Sequence, residues 1–306
     1  MLQFTPLLSL LVLLGACEPE TVPLQDERLS SRTLSGEKPR PWTACVTVTR
    51  GSPSRNVLYF LHGGNGEAAS WIRPEGWAPL VRRTWEREGR QAPVVVTVSF
   101  GPHWLLVPQG EDPRSGLLGF FLDHVMPAVE STLEAPPRKR LLLGSSMGGF
   151  NAVMLLLERP EIFSRAAILC PAIPVLSPFA PAERVAAFAR ENGVPESEVE
   201  HFLGLLREAF PDEASWESVD PLRRARTGFG SATPPLYLSC GREDEMGFFP
   251  AARGLAEAAR ENGVPVVWAP LSGRHCSIDP EGVARFLLPG EAGADEAKPV
   301  SSSPPR

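Results

Sequence analysis

Short apolar runs alternate with amphipathic stretches over most of this chain. Residues 45–49 and 57–61 read as strands. Residues 94–99 are apolar and β-branched without alternation, the pattern of a strand covered on both faces. Residues 140–143, 166–170, 236–240 and 265–269 continue the series. Helical periodicity fills the gaps at 77–88, 117–133, 149–158 and 249–262, and the last stretch stops at Asn262-Gly263, a C-terminal signal. Strands alternating with helices predict an α/β fold: a mostly parallel central sheet flanked by helices.

One segment breaks the rhythm. Residues 171–233 hold no strand pattern, and only 182–189 and 198–209 look helical. An insertion after a strand's C-terminal end sits over the crevice where such sheets bind ligands. It is therefore read as a helical insertion or cap; the competing reading is an elaboration with no part in binding. Residues 17–41 are rich in Pro, Ser and charge and lack periodicity, which predicts a flexible tether. Residues 289–306 read as a disordered tail, leaving one domain over 42–288.

The start of the chain changes the picture of where it works. Leu7 to Leu14 is apolar, about the length of a signal-peptide core and too short to span a bilayer. Leu14-Gly15-Ala16-Cys17 follows and resembles a bacterial lipobox, so residues 1–16 read as a signal peptide and Cys17 as a lipidated residue. The resemblance implies an exported protein anchored to a membrane through Cys17. The absence of Lys or Arg before the apolar run departs from the pattern, and an ordinary secretory signal is the plainer alternative.

Composition excludes more than it identifies. The 306 residues carry 43% hydrophobic and 22% charged residues and a formal charge of −6, ordinary for a globular chain. Without a basic face, no nucleic-acid partner is expected. Apart from Cys17, four cysteines remain: Cys45, Cys170, Cys240 and Cys276. They allow three pairings. Cys240 and Cys276 each lie beside a segment singled out below, which makes a bridge between them one option and four half-buried thiols the other. No His or Cys cluster has ligand spacing, so no metal is expected.

The chemistry concentrates in Gly144-Ser145-Ser146-Met147-Gly148, a Gly-x-Ser-x-Gly motif. An apolar strand pattern runs into it and a helical pattern runs out, the strand–turn–helix context that exposes a nucleophilic serine on a sharp elbow. The flanking glycines are needed because the turn is crowded. Ser146 is then the nucleophile, and a serine hydroxyl needs a base to take its proton. In this arrangement the chain order is serine, acid, histidine. His275 follows the last predicted strand and is the candidate base; His201 lies inside a helical pattern, and His62 precedes the serine and reads as structural. The acid belongs just after the strand at 236–240, where Glu243, Asp244 and Glu245 compete. Asp244 is preferred, with its two neighbours as alternatives. Two backbone N–H groups must hold the developing oxyanion. Met147 supplies one and the Gly63-Gly64-Asn65 segment the other, assigned to Gly64. His103 and Trp104, after the strand at 94–99, are candidates to line the substrate pocket or, alternatively, parts of a structural aromatic loop.

Taken together, Leu61-His62-Gly63-Gly64, Gly144-Ser145-Ser146-Met147-Gly148-Gly149, Cys240-Gly241-Arg242-Glu243-Asp244 and Gly273-Arg274-His275 are colinear and resemble the Putative esterase family of α/β-hydrolases. That family includes S-formylglutathione hydrolases, feruloyl and acetylxylan esterases and mycolyltransferases. The resemblance implies the α/β-hydrolase fold and hydrolysis of a small-molecule or saccharide-linked ester through an acyl-enzyme, without cofactor. Two rivals remain: acyl transfer to a hydroxyl acceptor, and an inactive surface-binding lipoprotein.

Overall fold

Six strands running the same way form the body of a nine-stranded sheet. In this computed structural model, the described residues are 10–13, 29–37, 41–49, 54–108 and 116–290. β4 (Asn56–Leu61) lies between β5 (Val94–Ser99) and β6 (Lys139–Ser145), and β7 (Arg165–Leu169), β8 (Leu236–Gly241) and β9 (Val266–Leu271) extend the parallel set. β3 (Trp42–Thr49) joins β5 antiparallel, β2 (Leu29–Gly36) joins β3, and β1 (Leu10–Leu13) joins β2.

The continuous apolar strands are buried on both faces, as their lack of alternation implies. On β4, Val57, Tyr59 and Leu61 enter one core layer while Leu58 and Phe60 enter the other. The first layer is closed by the helices Met147–Glu158 and Phe249–Glu261, the second by Ala78–Arg87 and Pro280–Leu287. The Trp85 indole N–H, on the third of these helices, donates to the Ala284 carbonyl at 2.9 Å and ties it to the fourth.

Two boundaries differ from the sequence reading. Residues 29–36, expected within the tether, form β2 and cover the free edge of β3. An open edge offers unpaired N–H and C=O groups, and pairing satisfies them whatever the side chains are. Only two side chains of the segment are apolar and buried, Leu29 and Leu34. Their odd spacing sends one into each core layer, so no one-sided pattern was visible. The insertion is also less separate than expected. Its helices are Ala182–Asn192, Glu196–Ala209, Glu213–Val219 and Pro221–Gly228. Val185, Val199 and Leu203 make a small core of their own, as a cap does. Trp216, Val219, Ala225 and Phe229, by contrast, join the main core, so the second half of 171–233 is part of the domain body.

Cys17, the rest of the proposed tether up to residue 28, and the tail from residue 291 lie outside the described residues. Among the described residues no helix is long and apolar enough to cross a membrane.

Candidate active site

Parallel strands deliver their following loops to one edge of the sheet, and the candidate residues converge there. β6 runs directly into Ser146, whose φ of 54° and ψ of −118° lie outside the regions favoured by residues with a side chain. The helix Met147–Glu158 starts at the next residue. The turn is held by its backbone: the Ser146 N–H donates to the Leu169 carbonyl at 2.9 Å, and the Ser146 carbonyl accepts from Phe150 N–H and Ala172 N–H, each at 3.0 Å. The motif's glycines have specific reasons. A Cβ on Gly144 would collide with the Gly148 carbonyl, and one on Gly148 would collide with the Leu61 carbonyl. The elbow therefore fits only where three backbones pass within contact of one another.

The Ser146 hydroxyl lies 3.0 Å from Nε2 of His275. The other ring nitrogen, Nδ1, lies 2.7 Å from Oδ2 of Asp244. A carboxylate only accepts, so Nδ1 carries the ring's proton and Nε2 is left as an acceptor facing the hydroxyl. The Asp244 side chain is fully buried, and burying a charge is costly unless donors surround it. Four do: the His275 ring, the Met246 and Phe248 N–H groups at 3.0 and 3.4 Å, and the Cys240 thiol at 3.5 Å.

The three competing carboxylates occupy different places. Asp244 reaches the imidazole. Glu245 instead accepts the His275 backbone N–H at 2.8 Å and pairs with Arg274 at 3.1 Å. Burial pushes the Glu245 carboxyl up, but the His275 N–H, its own N–H and Arg274 outweigh it and hold it below the usual carboxylate range. Glu243 points to solvent.

The glycine loop after β4 lies against Ser146: a Cβ on Gly63 would stand 3.4 Å from the Ser146 Cβ. Asn65 N–H is taken by the Pro102 carbonyl at 2.9 Å. The N–H groups of Gly63, Gly64 and Met147 make no hydrogen bond among the described residues. His62 is buried and structural in its contacts. Its Nδ1–H donates to the Gly63 carbonyl at 2.7 Å, and its Nε2 accepts from Ser99 at 2.9 Å and from the Trp104 indole at 3.3 Å. Burial lowers its pKa to about 4, with the Gly63 bond opposing, so the ring stays neutral.

Other expectations need correction. Trp104 does not line a pocket: it is buried, its indole is spent on His62, and its ring packs edge-on against Phe100. A buried indole needs an acceptor, and His62 is the one in reach. His103, next to it, is exposed, and its ring stands 3.4 Å from where a Gly64 Cβ would be. Cys276 is bonded to Cys170, not to Cys240; Cys240 is a free, buried thiol turned toward Asp244. The reason is strand order. To reach Ser146 at the end of β6, the loop after β9 must cross the ends of β8 and β7, which brings Cys276 to Cys170. Cys170, Cys276 and His275 gather three potential metal-ligand atoms within 4.8 Å, but both sulfurs are spent on each other.

Sequence reasoning had also missed Phe248 and Asn151. The Phe248 ring meets the His275 ring edge-on at 5.4 Å and Phe202 of the insertion at 4.6 Å, joining the insertion to His275. Asn151 is fully buried in the helix after the elbow. Its Oδ1 accepts from Leu106 N–H at 2.7 Å and its Nδ2 donates to the Trp104 carbonyl at 3.1 Å. A lone asparagine in an apolar helix was the available signal, since such a residue must find partners inside.

Comparison with known proteins agrees with this architecture. Residues 47–280 match the Putative esterase family. A stretch of 128 residues is 27% identical to part of an endo-1,4-beta-xylanase/feruloyl esterase of Xylanibacter ruminicola, covering 38% of this chain and 16% of that protein. This chain therefore matches about a sixth of that relative's length. Among solved structures, an S-formylglutathione hydrolase from Agrobacterium tumefaciens superposes with a TM-score of 0.58 at 18% identity, over 85% of this chain and 92% of that one. An acetyl xylan esterase from Paenibacillus sp. R4 does so with a TM-score of 0.57 at 16% identity, over 92% and 88%. These likenesses show an α/β-hydrolase fold. With the family matched over most of its length, the chain belongs to the Putative esterase family.

Proposed function

We propose that the protein is a serine carboxylic-ester hydrolase working through an acyl-enzyme. The observation that carries this reading is the continuous hydrogen-bond line from Ser146 through His275 to Asp244, at 3.0 and 2.7 Å. In the proposed reaction, His275 Nε2 takes the hydroxyl proton as Ser146 Oγ attacks the ester carbonyl. The carbonyl oxygen becomes an oxyanion between the Gly64 and Met147 N–H groups, which have no other partner among the described residues. His275 passes its proton to the departing alcohol. A water then gives a proton to Nε2 as it attacks the acyl-enzyme, and the ring returns that proton to Ser146 Oγ as the ester bond breaks and the acid leaves. Asp244 holds the ring in register and balances its transient positive charge.

The substrate reading is a small-molecule or saccharide-linked ester. The support is that the relatives named above are described as feruloyl and acetyl xylan esterases. Exposed His103 beside Gly64 is the residue we assign to the substrate's approach. The test is hydrolysis of p-nitrophenyl acetate and butyrate, followed by feruloyl and acetylated-sugar esters. Ser146→Ala should abolish turnover, and a serine-directed fluorophosphonate should label only the wild type. Retained activity in Ser146→Ala would overturn the assignment. Product analysis with added sugar or lipid alcohols distinguishes water from a hydroxyl acceptor.

Export and lipid anchoring at Cys17 form part of the same proposal, supported by the apolar run and the Leu14-Gly15-Ala16-Cys17 sequence. Cleavage before Cys17 would remove β1 and leave β2 as the sheet's edge. Fatty-acid labelling that persists in Cys17→Ser would refute the anchor.

A further inference from the structure

The residue after His275 carries a covalent link that the proposed chemistry does not use. Cys276 is bonded to Cys170, which directly follows β7. We infer that the Cys170–Cys276 disulfide is a positioning device for the base: it keeps the His275 ring in line between Ser146 and Asp244, and a dithiol reductant that opens it switches ester hydrolysis off reversibly. This rests on the roles proposed above for Ser146 and His275, and adds what holds the base in place.

The bridge ties the base's neighbour to the nucleophile's own support. Leu169 and Ala172, on either side of Cys170, hold the Ser146 N–H and carbonyl at 2.9 and 3.0 Å. Movement of Cys276 relative to Cys170 is therefore movement of the imidazole relative to the hydroxyl.

The other tethers of the loop act on its opposite side. Glu245 holds the His275 N–H, and the Glu243 N–H donates to the Gly273 carbonyl at 3.0 Å, so both anchor the loop to the segment after β8. Downstream, the Ser277 N–H bonds only within the loop, to the Arg274 carbonyl at 3.0 Å. Among the described residues, no hydrogen bond of this loop reaches β7, and the disulfide is the link that crosses to it. Its two residues also sit in the left-handed region, with φ of 41° at Cys170 and 54° at Cys276. Residues with a Cβ stay there only where the surroundings over-determine them. Once the crosslink is gone, relaxation of Cys276 turns the peptide that carries His275.

The chemistry is accessible and balanced. Cys170 is fully buried but Cys276 is half-buried, so attack comes at the Cys276 sulfur. A reductant thiolate bonds to Cys276 Sγ, the S–S bond breaks, and Cys170 leaves as a thiolate. The reductant's second thiol displaces Cys276 and closes the reductant's own disulfide; two electrons and two protons end on Cys170 and Cys276.

The experiment uses the full chain with p-nitrophenyl acetate, before and after dithiothreitol and again after reoxidation. Chelator is present throughout, because the freed sulfurs and the His275 ring make a set that zinc would occupy. Reduction should lower kcat about 100-fold with KM unchanged, the scale expected when a reacting group is misplaced by about 1 Å. Fluorophosphonate labelling of Ser146 should slow in parallel, far-ultraviolet circular dichroism should hold, and reoxidation should restore kcat. The double variant Cys170→Ser/Cys276→Ser isolates this bridge from other effects of the reductant, and its kcat should be low and indifferent to dithiothreitol. Unchanged kcat in that folded double variant would overturn the inference, as would activity lost only together with the circular dichroism signal. An oxidised wild type that neither hydrolyses the ester nor takes the fluorophosphonate would instead refute the ester-hydrolase reading.

Discussion

Glu245 accepts the backbone N–H of His275 at 2.8 Å, while the residue before it, Asp244, accepts the ring N–H at 2.7 Å. Adjacent carboxylates on one loop thus hold one histidine at two points, one setting where its backbone runs and the other how its ring turns.

That division makes the two carboxylates separable by kinetics. Asp244→Asn should lower kcat by about 10³–10⁴, since an amide can present an N–H to Nδ1 and favour the wrong tautomer. Glu245→Gln keeps a carbonyl oxygen for the His275 N–H and should cost no more than about tenfold. Steady-state rates on p-nitrophenyl butyrate decide it; a greater loss in Glu245→Gln would exchange the roles.

Acid should weaken the fold in two windows. His62 is held at about 4 instead of 6.5, so between these values the unfolded chain binds a proton that the folded one refuses. Stability should be complete above pH 6.5 and fall by about 3 kcal/mol as pH drops through that window. Glu245 acts lower. Its depressed carboxyl contributes above the ordinary value of 4.5 and the contribution is lost as pH falls through the folded value. Urea unfolding from pH 7 to 3 should show both slopes, and Glu245→Gln should flatten only the second.

Gly148→Ala should be far more damaging than its size suggests, because the new methyl meets the Leu61 carbonyl, a backbone atom that cannot swing aside. A loss of about 3 kcal/mol, with abolished turnover, is expected. Gly230→Ala, where nothing lies within 4 Å, is the control and should leave the unfolding midpoint in place.

Asn151→Ala removes the acceptor of Leu106 N–H and the donor to the Trp104 carbonyl, both buried. Stranding these groups should cost about 2–3 kcal/mol. The loop it anchors carries His103 against Gly64, so kcat should fall as well. A thermal melt combined with a kinetic run checks this; full stability would contradict the latch.

Much of the arrangement was legible where the signal is local. The unbroken apolar runs of β4, β5 and β6 announced strands covered on both sides, and Gly144, Ser146 and Gly148 announced an elbow, because crowding within a few residues dictates glycine there. β2 was illegible: an edge strand can be recruited through its backbone alone, and Ser30, Ser31 and Ser35 advertise nothing. Trp104 was placed at the right end of the sheet, but which way its indole turns depends on His62, a partner 42 residues away.

By itself, then, the sequence determined the order of strands and helices from β3 onward outside residues 171–233, the turn that presents Ser146, and the loops bearing His62, Asp244 and His275. Which loops meet was decided only by tertiary structure. The order β6-β7-β8-β9 carries the loop after β9 across two strand ends, joining Cys276 to Cys170, setting the His275 ring against Asp244, and leaving Glu245 for its backbone. The physical reason is range. Periodicity and turn chemistry act between residues a few positions apart, whereas lateral strand order comes from packing both faces of the whole sheet at once.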